Sequence, residues 1–300
     1  MPEISDTTTI SQLGELGLLK KILPLLTTNS SLIEGAGDDC AIVECNADTD
    51  MLLKCDCVVE GLHFLPNTPP SLIGRKALAR TISDIAAMGG TPEHALITLM
   101  VHPSRPASLI EGIYQGLNQI ASEYGISLAG GECSALTHDS LAISITLTGT
   151  VPHRKAILRR TAQAGDLIAV TGKLGGSFPS NRHLTFTPRV KEGNLLRASG
   201  LVTAMMDLSD GLASDLPRLA KASGLSFHLN LEKLPCHEGC THLQALKDGE
   251  DYELLFTFAP QNYEKISSLL PCTIIGEMTK EKNTHTSLPG KGWEHFSEQK

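Results

Sequence analysis

Long helical segments are few in this chain and strand-like runs are many, which narrows the folds open to it. Two helix-length patterns stand out in the first half. One runs from Ser71 to Met88 and is closed by Gly89-Gly90 with Pro92 beyond; the other runs from Pro106 to Tyr124 and stops at Gly125. An earlier segment, residues 11–25, carries Leu13, Leu16, Leu19, Ile22 and Leu23 at helical spacing. Around these lie strand-like runs at Cys40–Glu44, Met51–Val59, His94–Val101, Ile126–Ala129 and Leu141–Gly149, with turn residues 46–50 between the first two. Pro152-His153-Arg154-Lys155 reads as a linker. Beyond it come a strand at Leu167–Thr171, a glycine-rich turn at Gly172–Ser177 and a helix at Leu212–Ser223. Strands near Phe227–Leu231, Glu253–Phe258 and Thr273–Ile275 surround a last helix at Asn262–Leu270. The expectation is an α/β (α+β) protein of two domains, residues 1–150 and 151–300, without tandem repeats.

The charge balance excludes several function classes. A net charge of −8, no Lys/Arg cluster and only 4% aromatic residues disfavour a nucleic-acid binder. No uncharged apolar run reaches the roughly 18 residues of a membrane span. The segment Met1–Asp6 lacks the basic and apolar regions of a leader, so a cytoplasmic protein is expected. Eight cysteines at uneven spacings suggest free thiols rather than a disulfide frame. Cys236, His237, Cys240 and His242 offer zinc-ligand types, but their spacing is not that of a standard finger.

Carboxylates recur at strand ends and glycine turns. Asp38 and Asp39 stand in GAGDDCA (35–41), Asp56 at the end of a strand (Leu53-Lys54-Cys55-Asp56), Glu132 after Gly130-Gly131, and Asp207, Asp210 and Asp215 in DLSDGLASD. Asp84 differs in falling late in the 71–88 helix. Hard divalent cations want such oxygen ligands, and gathered carboxylates repel unless cations neutralise them. Each acid also has a plainer reading. Asp38 suits a turn, Asp210 the start of a helix, and Asp84 an ion pair with Arg80 or Lys76 on its own helical face. The glycine-rich turn serves equally as a phosphate cradle or as structure, and it lacks the ending of a Walker A loop. No G-x-S-x-G elbow or H-E-x-x-H pair is present.

Taken in order, the runs GAGDDCA (35–41), CDCVVEGLHF (55–64), KALARTISDIAAMGG (76–90), LAGGE (128–132), DLSDGLASDL (207–216), DGEDYELLFTF (248–258), IIGEM (274–278) and GWEHF (292–296) resemble the thiamine-monophosphate kinase family. That family shares a superfamily with aminoimidazole ribonucleotide synthetase and selenophosphate synthetase. The resemblance implies ATP-dependent phosphorylation of thiamine monophosphate to thiamine diphosphate. It further implies an N-terminal α/β domain whose sheet pairs across a homodimer, a C-terminal α/β domain and several Mg²⁺ ions. The implied metal positions are Asp39, Asp56, Asp84, Glu132, Asp207 and Asp210. Gly131, Glu132, Arg159 and Ser209 fall at ATP contacts, and His63, Glu250 and Trp293 at substrate contacts. Asp38 is the neighbour of a ligand.

Several positions depart from the family pattern. Lys54-Cys55 stands where the family has Ser/Thr-Thr, Glu132 where it prefers Asp, Asp248 where it usually has Gly, and Phe186 where it has Pro. The segment between Gly176 and Arg182 is also shorter than usual. A thiol is a soft ligand, poorly suited to Mg²⁺. Residues 54 and 56 face one side of a strand, so the Lys54 ammonium is placed to supply part of a missing cation's charge. The acceptor that the resemblance implies is a phosphate monoester, mostly dianionic near neutral pH, so no general base is expected and transfer should be direct. Alternatives are a thiamine-phosphate binding protein that has lost turnover and a metal-dependent phosphohydrolase. Selenophosphate synthetase is disfavoured because no cysteine precedes Cys40.

Overall fold

The computed structural model describes residues 8–281, 288–290, 292, 293, 295 and 296. The Met1–Asp6 segment and Glu294 of the GWEHF run lie outside the described residues. The chain begins with α1 (Ile10–Ile22), capped by Thr9, whose hydroxyl accepts from the Gln12 amide while the Gln12 side chain accepts from the Thr9 amide. There follow β1 (Leu32–Glu34), β2 (Ala41–Glu44), β3 (Thr49–Val59), α2 (Pro70–Ala87), β4 (Thr91–Val101), α3 (Ala107–Tyr124), β5 (Ser127–Ala135) and β6 (Leu141–Pro152). The second half carries β7 (Leu167–Val170), α4 (Val190–Ser199), β8 (Val202–Asp207), α5 (Leu212–Ala222) and β9 (Ser226–Leu229). It ends with α6 (His242–Lys247), β10 (Leu254–Phe258), α7 (Tyr263–Leu269) and β11 (Thr273–Thr279).

Two sheets result. The first has six strands in the order β1-β2-β3-β6-β4-β5 and the second five, in the order β8-β10-β7-β11-β9. Every pairing is antiparallel except β4 with β5. That parallel pair needs a crossover, and α3 supplies it. Helix α2 packs against α3 and against the first sheet, and is buried over most of its length. Its contact with α3 is so close that the glycines there have no substitutes. A Cβ on Gly74 would stand 2.0 Å from the Ile113 carbonyl oxygen, and one on Gly116 1.8 Å from that of Ser71. The end of α2 also reaches the second half: Ala87 shares a core with Leu196 of α4 and Met205 of β8.

The helices 71–88 and 106–124 lie where their glycine stops and helical periodicity place them. Four elements carry weaker signals and were not anticipated: β1, α4, β8 and α6. The α4 sequence is interrupted by Gly193, which the fold needs because a Cβ there would meet the Ala86 carbonyl oxygen at 2.2 Å. Strand β8 is rich in Ala and Met, which have little strand preference of their own. Strand β5 continues through Gly130-Gly131 rather than ending at Ala129, because β4 pairs with it as far as Ala135. Replacing Gly116 by Ala should lower the unfolding free energy by roughly 1–3 kcal/mol through overpacking. A urea midpoint equal to that of the wild type would contradict this packing.

Candidate active site

Helix α2 is buried, yet a polar stripe runs along it. Lys76, Arg80 and Asp84 recur at every fourth position and so lie on one face. Opposite stands β3, with Lys54 and Asp56 alternating on its inner side. Ion pairs form across this gap, not along the helix. Lys54 Nζ is 2.8 Å from Asp84 Oδ1, and Arg80 Nε is 3.2 Å from Asp56 Oδ2. Lys76 donates to Glu250 Oε1 at 2.5 Å and to the His63 carbonyl at the same distance. The same-helix pairing of Asp84 with Arg80 or Lys76 is therefore not made; each of those cations is claimed by an acid on another element. Arg80 also donates to the Cys57 carbonyl, while its Nε, too poorly aligned on Asp56, is the one buried side-chain N or O atom without a hydrogen bond among the described residues.

Asp84 joins two further carboxylates. Asp39 precedes β2 and Asp207 ends β8; one oxygen of each of the three lies within 4.8 Å of the others. All are buried: Asp39 and Asp207 are 2% exposed and Asp84 7%. Their neighbours soften the repulsion. Arg159 forms an ion pair with Asp39, and the Ser83 hydroxyl donates to Asp207 at 2.7 Å. Asp38, the other acid of the opening turn, accepts backbone N–H groups of Asp39 and Arg159, both at 3.0 Å. It shapes the loop and Asp39 faces the cluster. Gly37 has φ +137°, open to glycine alone, which lets the turn present both acids.

The electrostatics follow from burial. The Asp207 carboxyl is pushed up to about 7, by burial first and by Asp39 second. Asp38 rises to about 6 for the same two reasons. Burial drives Asp84 well above the carboxylate range, and Lys54 is the strongest force opposing it. Burial pulls the Lys54 ammonium down, but Asp84 and Asp56 outweigh that and hold it above its usual value. An all-carboxylate oxygen donor set at this spacing suits a hard divalent ion such as Mg²⁺.

Arg80, one turn before Asp84 on α2, and Ser209 and Asp210, just beyond Asp207, line a cavity of about 410 Å³ together with His63, Glu250 and Trp293; the three carboxylates themselves are not in its lining. Phe178, Tyr252 and His295 complete its aromatic wall. His63 Nδ1 accepts the Val59 N–H at 3.0 Å, which assigns the ring proton to Nε2. Burial, with Arg80 and Lys76 nearby, lowers His63 to about 3, so the ring is neutral at physiological pH. Two loops meet at the cavity: the Glu250 amide donates to the Ser209 carbonyl at 2.7 Å and the Tyr252 amide to Leu208 at 2.8 Å. Glu250 and Tyr252 hold left-handed φ values of 62° and 52°, a strain the paired loops sustain. Phe186 stacks on Tyr252 with ring centroids 3.9 Å apart, which gives the departure from proline a packing role.

Other anticipated residues stand apart from the three-carboxylate group. Asp210 forms an ion pair with Arg218, which also holds Asp215 at 3.0 Å, and it does not cap α5; Gly211 occupies that position. Asp56 is engaged by Arg80. Glu132 is exposed on β5, its Oε1 accepting from Ser134 at 2.7 Å. Gly131 has no room for a side chain, since a Cβ would sit 1.8 Å from the Ile97 carbonyl oxygen. Cys55 is exposed with its sulfur 3.4 Å from the Ser144 hydroxyl, so this soft thiol does not line the carboxylate cluster. In the glycine-rich turn two amides are already taken by acids: the Gly175 amide donates to Asp251 and the Gly176 amide to Asp248. The latter bond accounts for an acid at 248. Cys236, His237, Cys240 and His242 do not come together as a ligand group among the described residues. The sequence reading missed Phe178, Tyr252 and His295, and gave Arg80 and Lys76 no part in the site. The latter two were signalled by the polar stripe on an otherwise apolar helix.

Family models describing the AIR synthase related protein N-terminal and C-terminal domains match residues 37–151 and 177–288. The thiamine-monophosphate kinase of Bacillus subtilis (strain 168) is 34% identical across 95% of this chain and 100% of that protein. That of Rhodopirellula baltica is 39% identical across 81% of this chain and 83% of that protein. The solved structure of AaThiL complexed with AMPPCP and TMP is similar with a TM-score of 0.86 and 30% identity, covering 97% of this chain and 100% of that one. With both AIR synthase related domains present and similarity running nearly end to end, this chain belongs to the thiamine-monophosphate kinase family.

Proposed function

We propose that this chain transfers the terminal phosphoryl group of ATP to thiamine monophosphate, forming thiamine diphosphate by direct in-line displacement. The observation that carries this reading is the convergence of Asp39, Asp84 and Asp207, from both halves of the chain, with Arg80, Ser209 and Asp210 close to them in sequence lining a cavity of about 410 Å³. In this reading residues 1–150 and 151–300 are two domains that share the site. Asp39, Asp56, Asp84, Glu132, Asp207 and Asp210 are the proposed Mg²⁺ ligands. Gly131, Glu132, Arg159 and Ser209 are the proposed ATP contacts, and His63, Glu250 and Trp293 the thiamine-phosphate contacts. The protein works in the cytoplasm as a homodimer. The exposed edge strand β5 is the surface that best supports such pairing. Among the described residues no helix is long and apolar enough to cross a membrane.

The physical obstacle to this reaction is the approach of one polyanion to another. Two unit charges 4 Å apart interact by about 4 kcal/mol at an effective dielectric of 20. Divalent ions held by Asp39, Asp84 and Asp207 would supply charge neutralisation of the phosphates and of the loose transition state. The chain's own residues hold and supplement that charge. Arg159, Lys54 and Arg80 keep the acids ordered by ion pairing. Neutral His63 offers its Nε2–H as a donor, and the Trp293 ring is a flat partner for a cationic heterocycle. No side chain need remove a proton, because the acceptor phosphate is largely ionised near neutral pH.

Purified protein given ATP, Mg²⁺ and thiamine monophosphate should form thiamine diphosphate without a labelled phosphoprotein. Asp207→Asn should lower kcat by at least about 100-fold, beyond usual outer-shell losses. Binding of thiamine monophosphate without product would instead indicate a binding protein, and phosphate release without ATP a hydrolase.

A second expectation concerns pH. The folded-state values of Asp38 and Asp207, about 6 and about 7, lie above the ordinary 3.8. Each group therefore stabilises the metal-free fold below about pH 4, and loses that contribution as pH rises through its folded value. The Tm of the metal-free protein should fall between about pH 5 and about pH 8, and Mg²⁺ should raise Tm more at the higher pH. An Mg²⁺ effect that is equal at both ends would contradict a cation-hungry carboxylate group.

A further inference from the structure

The carboxylates around the cluster are not equally in need of a metal. Asp84 has Lys54 Nζ at 2.8 Å, and Asp56 has Arg80 Nε at 3.2 Å. Asp39 carries Arg159. Asp207 has no ion pair among the described residues; its side-chain partner is the uncharged Ser83 hydroxyl, with Lys54 and Arg159 acting on it from further off. Within the group of three, the formal charge of three carboxylates is offset by two protein cations, Arg159 and Lys54. Lys54 is also well placed to stay there. It reaches inward from β3 on the same face as Asp56, and its side chain is 24% exposed, so its charge is screened only in part by solvent. The ammonium occupies one side of Asp84, and Asp56 attracts it as well. A strongly hydrated ion such as Mg²⁺ cannot share that position with an ammonium group.

We infer that Lys54 is a tethered cation that takes the place of one divalent ion in this site, leaving the remaining ions to the Asp39 and Asp207 side. Lys54 is a charge-balancing residue in this account and not a catalytic one. The inference rests on the metal-binding reading proposed above and lowers by one the number of ions that the site holds. It gives the protein a site that is partly neutralised before any metal arrives. It also makes metal loading less dependent on Mg²⁺ concentration.

The test counts bound Mn²⁺ per chain by electron paramagnetic resonance, with the full-length protein and AMPPCP at saturation. Wild type, Lys54→Thr and Lys54→Arg are compared. Lys54→Thr should bind one more Mn²⁺ than wild type, because a hydroxyl replaces the ammonium and the position opens. Lys54→Arg keeps the charge and should bind the wild-type number, which a merely structural role for Lys54 would not require. An equal or lower count in Lys54→Thr overturns the inference and leaves the metal reading standing. So does an extra ion in Lys54→Arg. Absence of bound Mn²⁺ from all three proteins overturns the metal reading itself. If Lys54→Thr unfolds, Lys54→Gln replaces it with the same expected gain and the same overturning result.

Discussion

Buried carboxylates a few ångströms apart repel one another, and burial removes the water that would screen them. Asp39, Asp84 and Asp207 are held in that condition. Much of the surrounding structure offsets it. Arg159 reaches from the start of the second half to Asp39, Lys54 from β3 to Asp84, and Ser83 from α2 to Asp207. Breaking one partner of such a pair is expensive because the other is left charged and buried. These contacts join β3, the end of β8 and the loop before β2 to α2 and to the start of the second half.

Helix α2 is the element on which this arrangement depends. Its apolar residues seal the contact with α3 and the first sheet, and Gly74 receives the α3 backbone. Its remaining stripe of Lys76, Arg80 and Asp84 faces Glu250, Asp56 and Lys54 respectively. One helix thus fixes the distance between the carboxylate group and the cavity. Arg80 belongs to both, ion-paired to Asp56 and lining the cavity wall.

Much of this was legible in the sequence, unevenly. The helices around residues 71–88 and 106–124 follow from periodicity and glycine stops, which are local signals. The convergence of Asp39, Asp84 and Asp207 is not local. These acids lie on a loop, a helix and a strand end, and only the ordered motifs pointed to their meeting. Strand alternation correctly put Lys54 and Asp56 on one side of β3. It could not show that Lys54 would take Asp84 from its helical neighbours, since that depends on how α2 lies across the strand. Phe178 and Tyr252 line the cavity from loops that carry no periodic pattern. The glycine-rich turn misled because its free amides, suited to phosphate, are satisfied by Asp248 and Asp251 more than seventy residues away.

The central claim is that acids from both halves of the chain form one divalent-ion site. Anomalous diffraction from crystals grown with Mn²⁺ and AMPPCP tests it most directly. The account predicts Mn²⁺ peaks within coordination distance of Asp39 and Asp207, between those carboxylates and the nucleotide phosphates. Bound nucleotide with its Mn²⁺ held elsewhere, and with Asp39 and Asp207 coordinating nothing, would contradict it.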